Sequence, residues 1–210
     1  MKVIAVLNQK GGSGKTTIAT HVARALQQEG AQVLLIDSDP QGSARDWAAV
    51  REDQPLIVVG IDRPTIDRDL KRIAESVDWV VIDGAPQAAD LAVSAIKAAD
   101  FFLIPVQPSP YDIWATSDLV DLIKQRIEVT DGRLRAAFVV SRAIKGTKIS
   151  EEVISALGGY GLPVLKSRIT QRVSYPTTAS VGSTVLDFEQ DKDAVVEIKA
   201  LTAEIVLSLN

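Results

Sequence analysis

The chain has 210 residues, a formal net charge of −4, 46% hydrophobic residues, one histidine and no cysteine. The missing cysteines exclude a disulfide scaffold, an iron–sulfur cluster, a thiolate zinc site and a cysteine nucleophile, and a lone His21 excludes multi-histidine metal sites. A chain of this size buries roughly 70% of its unfolded surface, and no apolar run approaches the ~20 residues of a membrane span. The expectation is therefore one soluble cytoplasmic domain over residues 1–210.

Short apolar runs alternate with helix-length segments. Val3–Leu7, Val33–Ile36, Trp79–Ile82, Phe102–Ile104 and Ala137–Val140 lack strict polar alternation, the mark of strands buried on both faces. Leu56–Val59 and Leu162–Leu165 are weaker strand candidates. The segments between them read as helices: Lys15–Glu29 closed by Gly30, then Ser43–Arg51, Thr65–Ser76, Ala88–Ala98, Asp112–Ile127, Ser150–Leu157 and Lys192–Leu209. Alternating strand and helix predicts an α/β fold, an open and mostly parallel twisted sheet with helices on both faces.

One motif carries the chemistry. The first strand runs into Asn8-Gln9-Lys10-Gly11-Gly12-Ser13-Gly14-Lys15-Thr16-Thr17 and then a helix. Strand, glycine-rich loop, helix is the context of a phosphate-binding loop. Gly11, Gly12 and Gly14 let backbone N–H groups approach an anion, and Ser13 and Thr17 belong to the same cradle. Lys15 suits β/γ-phosphate oxygens, and Thr16 offers a hydroxyl to Mg²⁺. The standard loop has glycine where Gln9 stands, and a second lysine, Lys10, opens the loop instead.

Lys10-Gly-Gly-Ser-Gly-Lys-Thr resembles the deviant Walker A box of the ParA/MinD superfamily of P-loop ATPases. Asp37-Ser38-Asp39-Pro40-Gln41-Gly42 is similar to the first switch of its partition ATPases. Trp79–Asp83 with Gly84-Ala85-Pro86 resembles their Walker B strand and second switch, and Pro105–Pro110 their proline-containing loop. Compact members of the ParF type are the nearest pattern; the motif starts at residue 8, so no helix-turn-helix precedes it in this chain.

The resemblance implies roles. ATP or ADP with Mg²⁺ would be the ligands. Lys10 would reach the nucleotide of a second subunit, implying an ATP-dependent homodimer; the bland alternative is a surface lysine. Thr16, Asp37 and Asp83 would hold Mg²⁺, and Asp39 would position the attacking water, unless it only makes an Asx turn before Pro40. Arg142, Thr170 and Gln171 would border the adenine. Pro108 would frame the base or join a dimer contact, with Pro110, if the two are more than a rigid turn. His21 reads as a packed or surface histidine.

Charge is unevenly spread. Residues 133–172 hold eight basic and two acidic residues, whereas residues 1–132 and 173–210 are net acidic. The resemblance implies non-specific DNA binding through phosphate contacts, with Lys145, Lys148, Lys166, Arg168 and Arg172 as candidates and Arg142 divided between base and DNA. The implied function is a partition ATPase that binds nucleoid DNA as a dimer and is stimulated by a small ParB-like or ribbon-helix-helix centromere-binding partner. Positioning of another cargo, such as a protein microcompartment, fits the same motifs. A MinD-like membrane switch is disfavoured because Glu197–Asn210 carries one lysine and two glutamates. A metabolic ligase is disfavoured by the Asp37–Gln41 motif and the compact length.

Overall fold

The computed structural model describes residues 1–53, 56–86, 89–144, 149–188 and 190–210, with side chains described outside 149–151. Seven strands form one sheet: β1 (Lys2–Val6), β2 (Val33–Asp37), β3 (Ile57–Gly60), β4 (Trp79–Asp83), β5 (Phe101–Val106), β6 (Arg135–Ala143) and β7 (Val164–Thr170). Their order is β3-β2-β4-β1-β5-β6-β7, and every pairing is parallel. The helices are α1 (Lys15–Gln28), α2 (Ser43–Ala49), α3 (Ile66–Ile73), α4 (Ala89–Ala98), α5 (Pro110–Trp114), α6 (Ser117–Val129), α7 (Ile149–Gly158), α8 (Ser174–Ala179), α9 (Val185–Phe188) and α10 (Lys192–Ser208).

The period of two along each strand sorts side chains into two cores. Val3, Ala5 and Leu7 pack with Leu70 of α3, Ile96 of α4, Ile123 of α6 and Leu157 of α7. Ile4 and Val6 face the other way, onto Val22 of α1, Trp47 of α2, Leu186 of α9 and Ile198 of α10. Both faces are covered, which is why the central strands read as unbroken apolar runs. The predicted α/β architecture is the observed one.

The differences lie at boundaries and after residue 110. The expected helix Asp112–Ile127 is two, α5 and α6, because the Thr116 hydroxyl donates to the Ile113 carbonyl at 2.6 Å and closes the first helix. β7 extends well beyond Leu165, and the short helices α8 and α9 carry no apolar period in the sequence. Gly30 does end α1, at φ 93°.

The chain leaves β1 toward β2 through α1, and leaves the neighbouring β5 toward β6 through α5 and α6. Ligands of open α/β sheets bind at the carboxyl ends of strands where the connections diverge in this way. The glycine-rich loop sits there.

Candidate nucleotide site

Residues 7–14 link β1 to α1. Asn8 is buried and anchors the loop: its amide donates to the Pro105 carbonyl at 2.7 Å, and its Oδ1 accepts the Lys10 N–H at 3.1 Å. Gln107 donates to the Gly12 carbonyl at 2.8 Å and Ser141 to the Ser13 carbonyl at 2.7 Å. The loop is thus tied to β5 and β6 as well as β1. Gly12 and Gly14 have φ of 76° and 89°, a region costly for any residue with a Cβ.

Lys15 is buried, and its Nζ donates to the Lys10 carbonyl at 3.0 Å. Burial pushes its ammonium below the ordinary value, while Asp83 and Asp39 oppose that shift. Asp83 ends β4 and is 1% exposed, and neither carboxylate oxygen has a hydrogen-bond partner among the described residues. Burial pushes its carboxyl up to about 7; Asp37 and Asp39 add to that, while the Thr16 hydroxyl and Lys15 counteract it. Thr16 acts there as a nearby dipole, without the geometry of a hydrogen bond. A buried carboxylate with idle oxygens, beside Thr16 and Lys15, fits a cation accompanied by phosphate. Among the described residues no group of three His, Asp or Glu side chains could cage a metal alone. Mg²⁺ does not need one, because it takes phosphate oxygens and waters as ligands.

Asp37 is fully buried at the end of β2, pairs in register with Asp83, and accepts the N–H groups of Asp39 at 3.1 Å and Arg45 at 2.9 Å. Its Oδ1 keeps a lone pair for a water of a metal shell. Asp39 is half-buried and makes the Asx turn the sequence suggested, to the Gln41 N–H at 3.0 Å. Among the described residues no hydrogen bond is made to its Oδ2. Lys10 is exposed; among the described residues only its backbone is engaged.

A cavity of about 370 Å³ adjoins the loop, with Gly14 and Thr17 on one side and Ser141, Arg142, Thr170 and Gln171 on others. The structure therefore brings together three of the residues expected at the base. Arg142 has φ 51° where the β6–β7 register is interrupted, a bulge that re-aims a side chain at the strand end. Pro108 is not part of this wall. It follows β5 beside Gln107, which bonds the loop at Gly12, because β6 separates the β5 end from the β7 end. A larger cavity, about 850 Å³, lies between α8 and the start of α10 and includes no loop residue or switch aspartate.

A scan of protein families matches the CobQ/CobB/MinD/ParA nucleotide binding domain over residues 4–185. The chain belongs to this family. Among its relatives is the maintenance of carboxysome distribution protein A of Halothiobacillus neapolitanus, 32% identical over 98% of this chain and 96% of the relative. The chromosome-partitioning ATPase Soj of Thermus thermophilus is 27% identical over 97% and 94%. Among solved structures, an ATP complex of Cyanothece McdA aligns over 100% of this chain and 97% of that chain, with TM-score 0.74 and 18% identity. The Mg-ADP complex of the septum site-determining protein MinD from Pyrococcus horikoshii aligns over 97% and 95%, with TM-score 0.75 and 15% identity. These two share the ParA/MinD fold.

Within that family frame, the basic segment proves dispersed. Lys145 and Lys148 lie outside the described residues. Lys166 and Arg168 are exposed on the edge strand β7. Arg172, expected on DNA, is instead committed to acids: it pairs with Glu197 at 2.7 Å, Asp191 at 3.2 Å and Asp193 at 3.5 Å. Arg135 bonds the Ser208 carbonyl at the amino end of β6, the end of the sheet away from the loop. His21 is a structural residue: its Nδ1–H donates to the Thr17 carbonyl at 2.7 Å, and its Nε2 accepts the Val185 N–H at 3.2 Å. Burial lowers its pKa to about 4.

Sequence reasoning missed Asn8, Ser141, Gln107, Arg45 and Tyr175. Asn8, Gln107 and Ser141 sit at carboxyl ends of apolar runs, a position that itself flags site residues in this fold class. Arg45 and Tyr175 have no such signal.

Proposed function

We propose that the chain is a Mg²⁺-dependent ATPase whose nucleotide state switches a homodimer on and off. The observation that carries this is the buried Asp83 carboxylate, idle and facing Lys15 and Thr16 across the phosphate loop. Thr16 and Asp83 would hold Mg²⁺, with Asp37 behind its water shell; bound there, the ion offsets charge on the phosphate oxygens. Lys15 exchanges its Lys10 carbonyl for a phosphate oxygen. Asp39 orients water through Oδ2. Lys10, exposed and unengaged by side chain, supplies its charge to a second copy, acting as an arginine finger does.

Full-length similarity to a carboxysome distribution protein, higher than that to the chromosome-partitioning ATPase Soj, favours a protein microcompartment as the cargo. Plasmid or chromosome partition is the second reading, supported by the similarity to Soj over nearly the whole chain. In either case the dimer grips nucleoid DNA without sequence preference, with Lys166 and Arg168 as candidate phosphate contacts, and a small partner protein stimulates hydrolysis.

Phosphate release with and without Mg²⁺ tests the enzyme. Lys15→Ala removes turnover and nucleotide binding. Asp39→Ala removes turnover and leaves an ATP-bound dimer that shifts random duplex DNA in a gel. An Asp39→Ala protein that hydrolyses ATP at the unmodified rate overturns the switch assignment. Fluorescent cargo in a deletion strain, plasmid against microcompartment, separates the two cargo readings.

A further inference from the structure

The end of β7 is fastened by a side chain that no motif announces. Glu197, on the second turn of α10, accepts the Thr170 N–H at 3.0 Å and the Thr170 hydroxyl at 2.8 and 2.9 Å. The same carboxylate accepts from Arg172 at 2.7 Å, and both side chains of that pair are more than four-fifths shielded from water. Asp191 and Asp193 hold the guanidinium from the start of α10. Between the two residues bound by Glu197 lies Gln171, whose N–H donates to the Ala143 carbonyl at 3.0 Å. Segment 170–172 is thus pinned at three successive residues, from β6 and from α10.

That segment is one wall of the 370 Å³ cavity beside the phosphate loop. Tyr175 continues the wall; its ring packs edge-on against His21 at 5.2 Å. The buried Tyr175 hydroxyl and Arg172 Nε have no hydrogen-bond partner among the described residues. Two polar groups thus stand idle in a wall that is otherwise rigidly held. Glu197 itself does not line the cavity.

We propose that Glu197 is a positioning residue for nucleobase recognition: from outside the cavity it fixes Thr170 and Arg172, so the wall that meets the base and ribose is preformed. This rests on the reading of the site as a nucleotide site. A wall ordered before binding spares the ligand the cost of ordering it. The benefit falls on the base–ribose half of the nucleotide and leaves the phosphate half, held by residues 10–17, unaffected.

The test is calorimetric titration of the full chain with ATP and, separately, inorganic tripolyphosphate, each with Mg²⁺, for the unmodified protein and Glu197→Gln. ATP affinity falls about tenfold, the scale of one charge-assisted hydrogen bond, while tripolyphosphate affinity stays within twofold. Equal losses on both ligands, or no loss on ATP, overturn the inference and leave the site reading standing. An unmodified protein that binds neither ligand overturns the site reading, and this inference with it. If Glu197→Gln loses its cooperative melt, Thr170→Val and Arg172→Lys, each cutting one arm of the anchor, are read by the same ratio.

Discussion

Replacing Asp83 with asparagine separates what the fold needs from what the site needs. Asp83 is an acid whose folded-state pKa, about 7, lies above its ordinary 3.8. The folded state therefore holds a proton that the unfolded state has released, and stability is lost as pH rises through that window. Each pH unit in the window is worth about 1.4 kcal/mol, so going from pH 5 to pH 7 costs about 2 kcal/mol after allowing for the curvature near pH 7. For a chain of this size that is roughly 4–8 °C in Tm. An asparagine side chain cannot ionise, so Asp83→Asn escapes this loss and retains only the smaller cost of a buried amide. The assay is thermal melting in EDTA at pH 5, 7 and 8. Other groups titrate in both proteins and cancel in the difference. The variant's advantage should grow by about 2 kcal/mol between pH 5 and 7 and then level off. Adding Mg²⁺ and ATP should reverse the order, because the unmodified protein, which keeps the carboxylate for Mg²⁺, gains more binding energy. Parallel pH profiles, or a variant less stable at pH 8 without metal, would refute the account of an idle buried carboxylate.

His21 acts with the opposite sign. Its folded pKa of about 4 lies below its ordinary 6.5, so it contributes stability that is fully present above pH 6.5 and is lost as pH falls toward 4. That loss is about 3 kcal/mol, and melts of His21→Gln should lack the slope. Lys10→Ala should leave Tm within about 1 °C, since the exposed side chain makes no described contact and the backbone carbonyl that holds Lys15 is kept, while ATP turnover falls by about 10³ or more. At Gly84 an added Cβ would come within 2.4–2.6 Å of the side chain of Leu7, which is 1% exposed. Gly84→Ala should cost about 1–3 kcal/mol in denaturant unfolding and weaken ATP binding, because Leu7 carries the chain into Asn8.

The parts of the fold legible in the sequence are those governed by periodicity and by the phosphate loop. Buried runs such as Trp79–Ile82 announced the sheet, and Gly30 announced the end of α1. The extent of β7 was hidden, because Lys166, Arg168 and Thr170 on an edge strand interrupt any apolar pattern. The glycine-rich loop and the aspartates that the fold brings beside it were legible because glycine, lysine and aspartate at those spacings have a chemistry of their own. The partners of Arg172 were hidden: a run of like charge along the chain says nothing of the acids that α10 brings to it, 19–25 residues later. The same blindness hid Glu197, whose partners precede it by 25 and 27 residues.

The bond from Lys15 Nζ to the Lys10 carbonyl has a consequence for the proposed dimer. In this arrangement the loop is stoppered by its own backbone: one lysine occupies the peptide of the other. A triphosphate that draws Lys15 away strips that peptide of its donor. In the proposed dimer, filling a subunit's own pocket would thereby loosen the peptide whose side chain is proposed to serve its neighbour's.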